Sequence, residues 1–408
     1  MGEKKRKVAI IGAGAAGMAA AVSAAKNGVA VTVFERNAIV GKKLLLTGNG
    51  RCNFSNMQVC SDNFSFEKDS NADRILMNFT NRDAIDFFAG IGVMTTCKRE
   101  GYYPFSGQAS AICSALYKAM LHLGVDIKLS SCVTEITQNN NMFQVKTAEE
   151  ELSFDAVILA CGGKAAPKTG SDGYGFRLAR GFGHTVSRTY PVLVQLNANA
   201  PDLKKIAGVR CEAVVTACVN GKEKKQDAGE LQLTEYGLSG IPVFNISRSL
   251  SKELEEGESC TIIVDFLPNI SMDSLKEFVK ARVEILEGYR LNDFLEGMVH
   301  SKLAVYFTEQ AKHNGEVLVT KEMEEDVFQL LYQMKHWEFL ITGHRGFENA
   351  QVTKGGVLLS EVDETLQSVF VPGLYFAGEM LDVDADCGGY NLHWAWASGI
   401  LTGEKAAK

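Results

Sequence analysis

The chain is poor in the residues that usually announce a metal centre or a nucleic-acid surface. It has 7 His, and its 10 Cys form no Cys-x-x-Cys pair, so neither a zinc knuckle nor a thioredoxin-like dithiol is written in it. No metal is expected. Basic residues do not outnumber acidic ones: 42 Lys and Arg stand against 49 Asp and Glu, a net charge of −7. Phosphate binding wants an excess of cations, so no nucleic-acid partner is expected. One uncharged run, residues 8–25, follows Lys4-Lys5-Arg6-Lys7 and mimics a signal peptide or a membrane span. Its three glycines, and a second strand ending on an acid, fit neither. An N-myristoyl signal would need Ser or Thr where Arg6 stands. The expectation is a cytoplasmic protein with no membrane partner. Cys161 and Cys387 lie in Gly-rich turns that could approach a cofactor, with small-residue packing as the plainer account.

What is present begins at once. Lys7-Val8-Ala9-Ile10-Ile11 reads as a buried parallel strand, followed by Gly12-Ala13-Gly14-Ala15-Ala16-Gly17 and an Ala-rich helix to about Asn27. A second strand, Ala30 to Phe34, ends on Glu35, 18 residues past Gly17. In such a unit Gly12 makes the tight turn, Gly14 lets the backbone approach a pyrophosphate, and Gly17 lets helix and strand pack closely. The helix N-terminus favours phosphates, and Glu35 is placed to accept hydrogen bonds from a ribose. With strand, helix, strand and acid in register, the dinucleotide-site signal is strong.

Downstream, the stretch Gly41–Asn53 holds too many Gly and Asn for a helix, and its Lys42, Lys43 and Arg51 suit a pyrophosphate. Residues 82–90 and 108–123 have helical spacing, Val125–Leu129 reads as a strand, and Cys132–Thr137 with Met142–Thr147 as a hairpin. Ala156–Ala160 is another buried strand, and a short helix follows Gly175. After Pro191 the pattern alternates, over Val192–Leu196, Ala207–Val219, Glu230–Leu233 and Cys260–Phe266, with a hairpin at Asn220-Gly221. Residues 271–335 are helical in spacing. The α/β texture then returns with Gly373–Glu379 and a final helix over 392–405. At 408 residues several domains are expected, the first closed by both chain ends. The late Gly378-Glu379 element is more than an NAD site needs. A flavin adenine dinucleotide is longer; Glu379 could hold ribityl hydroxyls, and the last helix's N-terminus could stabilise charge on a reduced ring.

At these residues the chain resembles the bacterial BaiN/YhiN-like NAD(P)/FAD-dependent oxidoreductases, also labelled aminoacetone-oxidase-like flavoproteins. The matching pieces are GAGAAG at 12–17, GKKLLLTGNGRCNFSN at 41–56, GGKAAPKTGSDGYG at 162–175, VTKGGV at 352–357 and GLYFAGEMLDVDADCGGYNLHWAWASG at 373–399. The resemblance implies an α/β protein with a discontinuous Rossmann-like FAD-binding domain (1–190 and 341–408). It also implies a β-barrel-like insert (191–270 and 326–340) and a helical insert nested in it (271–325). Carried over, FAD contacts would include Gly12, Gly14, Ala16, Gly17, Glu35, Arg36, Lys43, Gly50, Arg51, Cys52, Val133, Gly162, Gly378, Glu379, Asn391 and Leu392. Ala15, Lys42, Asn53, Ala160, Gly356 and Asp386, in or beside the same segments, join them as candidates. One departure is Glu235, in Thr234-Glu235-Tyr236-Gly237-Leu238-Ser239-Gly240-Ile241-Pro242, where family members often carry His.

The activity the resemblance implies is reduction of activated C=C bonds in conjugated, bile-acid-like enones. NAD(P)H would be the transient electron donor, acting through flavin N5. No second GxGxxG unit is present to hold it permanently. The reaction needs a proton donor to the α-carbon; Tyr390, His393 and Tyr236 are candidates by position, and none is singled out as catalytic. The alternatives are a flavin oxidase or dehydrogenase of small amines or hydroxy acids, and a non-catalytic flavin redox sensor. Residues 162–183 are also similar to fumarate-reductase-type flavoproteins, without their Arg and His set for a dicarboxylate. The expected partner is a small-molecule substrate, met by residues 191–340 and most closely by the Leu233–Pro242 turn. Nothing in the sequence sets the oligomeric state.

Overall fold

The computed structural model describes residues 5–67, 70–200 and 202–408; Lys4 of the basic leader lies outside them. The chain forms two compact units, Met1–Pro191 with Ala350–Lys408, and Val192–Asn349.

The first unit is built on the expected strand–helix–strand: β1 (Lys7–Ile11), α1 (Ala15–Lys26) and β2 (Ala30–Phe34). They belong to a five-stranded parallel sheet ordered Leu374–Phe376, Ala156–Leu159, β1, β2, Asp126–Lys128. The near-continuous apolar strands are explained by burial on both faces. Val8, Ile10, Ile158 and Val33 point into a cluster with Met18, Leu116 and Trp396, on the side of α1 and the Ala109–His122 helix. Ala9, Ile11, Leu159 and Phe376 point the other way, into a cluster with Phe143, Val145 and Phe154 of an antiparallel sheet over Glu135–Phe154. The C-terminal helix, Tyr390–Ala406, lies against α1 at very short range, because both present small residues. A Cβ on Gly399 would overlap the Ala16 carbonyl oxygen, and one on Gly403 the Ala20 carbonyl oxygen. That contact ties the two ends of the chain into one domain.

The second unit is a closed antiparallel barrel. Its strands run Leu196–Asn199, Gly237–Gly240, Lys222–Thr234, Arg210–Val219, Cys260–Asp265, Trp337–His344, and Leu196 pairs with His344 to close the circle. Three expectations need correction here. Because closure requires Trp337–His344, the barrel passes residue 340, and 341–349 belong with this unit rather than with the FAD-binding domain. Residues 324–335 form a helix, in keeping with the helical spacing over 271–335, so the helical insert does not stop at 325. Leu233–Pro242 is not one turn: the tight turn is Glu235-Tyr236, then a strand, and Ile241 starts a helix to Glu255. That helix buries Val243, Ile246 and Leu250 in the barrel's core.

Candidate functional site

The site in the first unit is built around the end of β1. Gly12 turns with φ +105°, and a Cβ there would stand 2.6 Å from the Ala160 carbonyl oxygen. A Cβ on Gly17 would overlap the Gly12 carbonyl oxygen, which is why helix and strand can lie so close. Gly14 differs: nothing lies within 4 Å of where its Cβ would be. Its smallness serves empty space rather than internal packing. No side chain caps α1 and its first turn, with Ala15 and Ala16, holds no acid, so positive backbone charge is left beside that space.

Glu35 is 7% exposed. Its carboxylate accepts the Ala13 N–H at 2.8 Å, the Asn37 N–H at 2.8 Å and the Asn37 side-chain amide at 2.7 Å. Its carbonyl accepts the Ser131 N–H at 2.8 Å, which brings the segment of buried Val133 alongside. Arg36 pairs with Asp172 at 2.7 Å; Gly162, at φ +75°, backs onto Ser171.

The Gly41–Asn53 segment joins this centre through the Gly41 N–H, which donates to the Ala13 carbonyl at 2.8 Å. Gly48, Asn49, Gly50 and Cys52 all have positive φ, so the backbone coils tightly there. Lys42, Gly50 and Arg51 are exposed, Cys52 is buried, and the Asn53 Oδ1 is a buried acceptor with no partner among the described residues. Lys43 reaches Glu379, Nζ to Oε2, at 2.7 Å. The other Glu379 oxygen accepts the Thr353 N–H at 2.6 Å, and Thr353 Oγ1 accepts the N–H groups of Lys164 and Ala165. Gly378, at φ +66°, would put a Cβ 2.8 Å from that of Ala16, so the late element meets the early one at the start of α1. Thr353 follows from no spacing or composition signal in the sequence. Its only signal was its place inside VTKGGV.

Other candidates are occupied elsewhere. The Gly356 backbone packs on Leu381 and Asp382. The Asn391 side chain holds both the N–H and the carbonyl of Ala385, at 2.9 and 2.8 Å, so only its backbone and that of Leu392 remain at the helix start. Asp386 donates its N–H to the Asn63 carbonyl. The Gly389 N-cap of that helix, like Gly14, carries no side-chain cap. Both ring nitrogens of His393 are engaged. The residue is fully buried, with Nδ1 2.9 Å from Ser55 Oγ and Nε2 2.8 Å from the Phe79 carbonyl. Burial pushes its pKa down to about 4, so the ring is neutral: Nε2–H donates to Phe79 and Nδ1 accepts from Ser55. Tyr390 is 8% exposed, edge-on to Phe64, and burial pushes its phenol pKa up. Tyr236 lies in the barrel unit. Cys161 donates its thiol to the Ile11 carbonyl at 3.4 Å, and burial pushes it up to about 12, as befits a packing residue.

The donor set fits FAD on two observations: open space beside Gly14 at the start of α1, and two helix starts without side-chain caps. No helix among the described residues is long and apolar enough to cross a membrane.

Comparison with known proteins gives the same fold. A family model described as HI0933-like protein Rossmann domain matches residues 6–405. A 3-dehydro-bile acid delta(4,6)-reductase of Clostridium scindens is 37% identical over 406 residues, covering 98% of this chain and 99% of its own. A ribosomal RNA dihydrouridine synthase of Haemophilus influenzae is 30% identical over 398 residues, 95% of each chain, and one of Escherichia coli is 30% identical over 397. Among solved structures, a 3-ketosteroid-delta4-(5alpha)-dehydrogenase from Rhodococcus jostii superposes with a TM-score of 0.52 at 15% identity. It covers all of this chain and 98% of its own, which shows a shared fold.

Proposed function

The chain belongs to the HI0933-like Rossmann family, and we propose that it reduces a carbon–carbon double bond conjugated to a carbonyl group. It is an FAD-dependent oxidoreductase with a Rossmann-type FAD-binding fold and a closed barrel insert. One observation carries the finer reading. Relatives named for different products, each matching at least 95% of this chain, share one reacting group. A delta-4 bond beside a 3-oxo group is a conjugated enone. Dihydrouridine is uridine reduced at C5–C6, the bond conjugated to its C4 carbonyl.

In this reading Gly12, Gly14, Ala15, Ala16 and Gly17 hold the pyrophosphate at the α1 N-terminus, and Glu35 with Val133 the adenosine end. Lys43, Gly378 and Glu379 take the ribityl region, and the backbone at Asn391 and Leu392 the far end. Bound FAD, when reduced, supplies a hydride for the β-carbon of the substrate. The chain's own part is to orient the conjugated system and deliver a proton to the α-carbon. Tyr390 remains as a donor, its phenol pushed up by burial so that the proton is in place at neutral pH, and Tyr236, on the barrel, stays a candidate by position. NAD(P)H is the electron donor we propose, visiting transiently because the sequence has no second dinucleotide unit. A bile-acid-like steroid and uridine, free or within RNA, are the substrates to try first.

The test is anaerobic mixing of the FAD-loaded protein with NADH or NADPH, followed by a 3-oxo-4-ene steroid or uridine. Bleaching by the nicotinamide, with colour restored by either substrate, is the expected result. Bleaching by a small amine instead would turn the reading to an oxidase.

A further inference from the structure

One buried hydroxyl in the first unit carries no role in the proposed chemistry. Thr353 stands in the short strand Val352–Lys354 and is 1% exposed. Its Oγ1 accepts two consecutive backbone N–H groups, from Lys164 at 2.7 Å and from Ala165 at 2.9 Å. Those donors lie 189 and 188 residues away in sequence, so the contact is not a local turn. They belong to the segment 162–165, which follows the buried strand Ala156–Leu159. The Thr353 N–H donates in turn to Glu379 Oε1 at 2.6 Å. One residue therefore joins the end of a central strand to the acid assigned above to the ribityl region.

Gly163 shows how close that join is. A Cβ on it would overlap Thr353 Oγ1 and stand 3.2 Å from Glu379 Oε1. Gly163 does not have a positive φ, so its backbone does not call for glycine; the space taken by Thr353 and Glu379 does. On the other side the segment is tied by the Gly163 carbonyl, which accepts the Gly173 N–H at 2.9 Å. The two N–H groups use both lone pairs of the Thr353 hydroxyl, a task that no methyl group can take over. Without that oxygen they lose their acceptor, at a fully buried residue in the case of Ala165. The segment then has nothing to hold it against Thr353 and Glu379. A site whose parts must be ordered as the ligand arrives binds more weakly than one already assembled.

We infer that Thr353 is a positioning residue of the cofactor site: its hydroxyl locks the segment 162–165 against Glu379, so that this carboxylate is set for FAD before FAD arrives. The inference rests on the assignment of Glu379 to the ribityl region and adds what fixes it there. Lys43 holds the other carboxylate oxygen from the end of a long, partly exposed side chain. The Thr353 contact comes from the backbone of a strand, and the hydroxyl of the same residue anchors that strand to the next. Every group involved belongs to the first unit.

The experiment is equilibrium dialysis of the FAD-loaded, full-length protein, which gives the FAD dissociation constant of wild type and variants. Thr353→Val, nearly the same shape without the acceptor, weakens FAD about tenfold, while Thr353→Ser, which keeps it, stays within about threefold of wild type. Gly163→Ala pushes the hydroxyl away with Thr353 itself intact and weakens FAD alike, so it carries the test if Thr353→Val does not fold. In a Glu379→Leu background, either change adds less than about twofold, because the residue it acts through is gone. A purely structural hydroxyl would lower the thermal midpoint and leave these constants and their coupling unmoved. Circular dichroism at the dialysis temperature confirms that each variant is folded. Wild-type affinity in both folded variants, or losses that add in full to that of Glu379→Leu, overturns the inference and leaves Glu379 in the cofactor site. Unchanged affinity in Glu379→Leu alone overturns the assignment of Glu379, and the lock with it.

Discussion

The Lys43 ammonium stands 2.7 Å from the Glu379 carboxylate across 336 residues of sequence, and the same carboxylate accepts the Thr353 N–H. One acidic side chain thus joins the early basic loop to two late segments at the place where the cofactor's middle is expected. The pair is partly exposed, so its own contribution to stability is small, about 1 kcal/mol or less. Its effect on cofactor affinity is larger. Glu379→Leu removes both contacts and is expected to lower FAD affinity at least about tenfold, read by equilibrium titration of apoprotein with FAD. Unchanged affinity would remove Glu379 from the cofactor site.

The three glycines of the first turn should separate by experiment. Gly14→Val meets open space and leaves the fold intact while abolishing FAD binding. Gly17→Val collides with the Gly12 carbonyl and costs about 1–3 kcal/mol of stability whether or not FAD is present. Thermal unfolding of the apoproteins, with flavin content measured alongside, checks both. Loss of stability in the apo form of Gly14→Val would contradict the open space beside Gly14.

His393 gives a pH prediction. Its folded pKa, about 4, lies below the ordinary 6.5, so below pH 6.5 the unfolded chain takes up a proton that the folded ring refuses. Stability from the neutral ring is therefore full above about pH 6.5 and is lost as pH falls towards 4, a change on the order of 3 kcal/mol. In His393→Gln the fall over that window should be shallower than in wild type, compared by urea unfolding at each pH. Parallel profiles would mean that His393 titrates normally.

Neither Cys161 nor Cys387 is expected to act in turnover. Cys161→Ser keeps a donor for the Ile11 carbonyl, so that variant and Cys387→Ser should retain flavin and at least part of the activity. Complete loss of turnover in either, with FAD still bound, would make that thiol catalytic. Glu235→His, restoring the residue common in the family, should alter the substrate KM or kcat and leave FAD content as it was.

Much of the first unit was legible because its signals are local. Gly12, Gly14 and Gly17 fall at fixed spacing between two apolar strands; in the other unit, Asn220-Gly221 gives an equally local hairpin signal, with positive φ at both residues. The barrel was less so. Only Glu230–Leu233 of the strand Lys222–Thr234 was read, because its first half is charged and pairs an exposed face. The helix from Ile241 was hidden by Gly240 and Pro242, read as a turn, although proline suits a helix's first turn. Thr353 and the buried setting of His393 carry no local pattern. Their contacts come from partners far away in sequence: Lys164 and Ser55.

The most direct test of the central claim is a single turnover without any nicotinamide. The FAD-loaded protein is reduced anaerobically with dithionite, freed of excess reductant, and mixed with a 3-oxo-4-ene steroid carboxylic acid or with uridine 5′-monophosphate. The account predicts that flavin colour returns with at least one of them, at a rate that saturates with substrate, and that one molecule of product, heavier by two hydrogens, forms per flavin. Saturated analogues of the same compounds should leave the flavin bleached. Reduced flavin that persists with both conjugated substrates, while oxygen or another acceptor reoxidises it, would contradict the assignment of this chain as a reductase of conjugated double bonds.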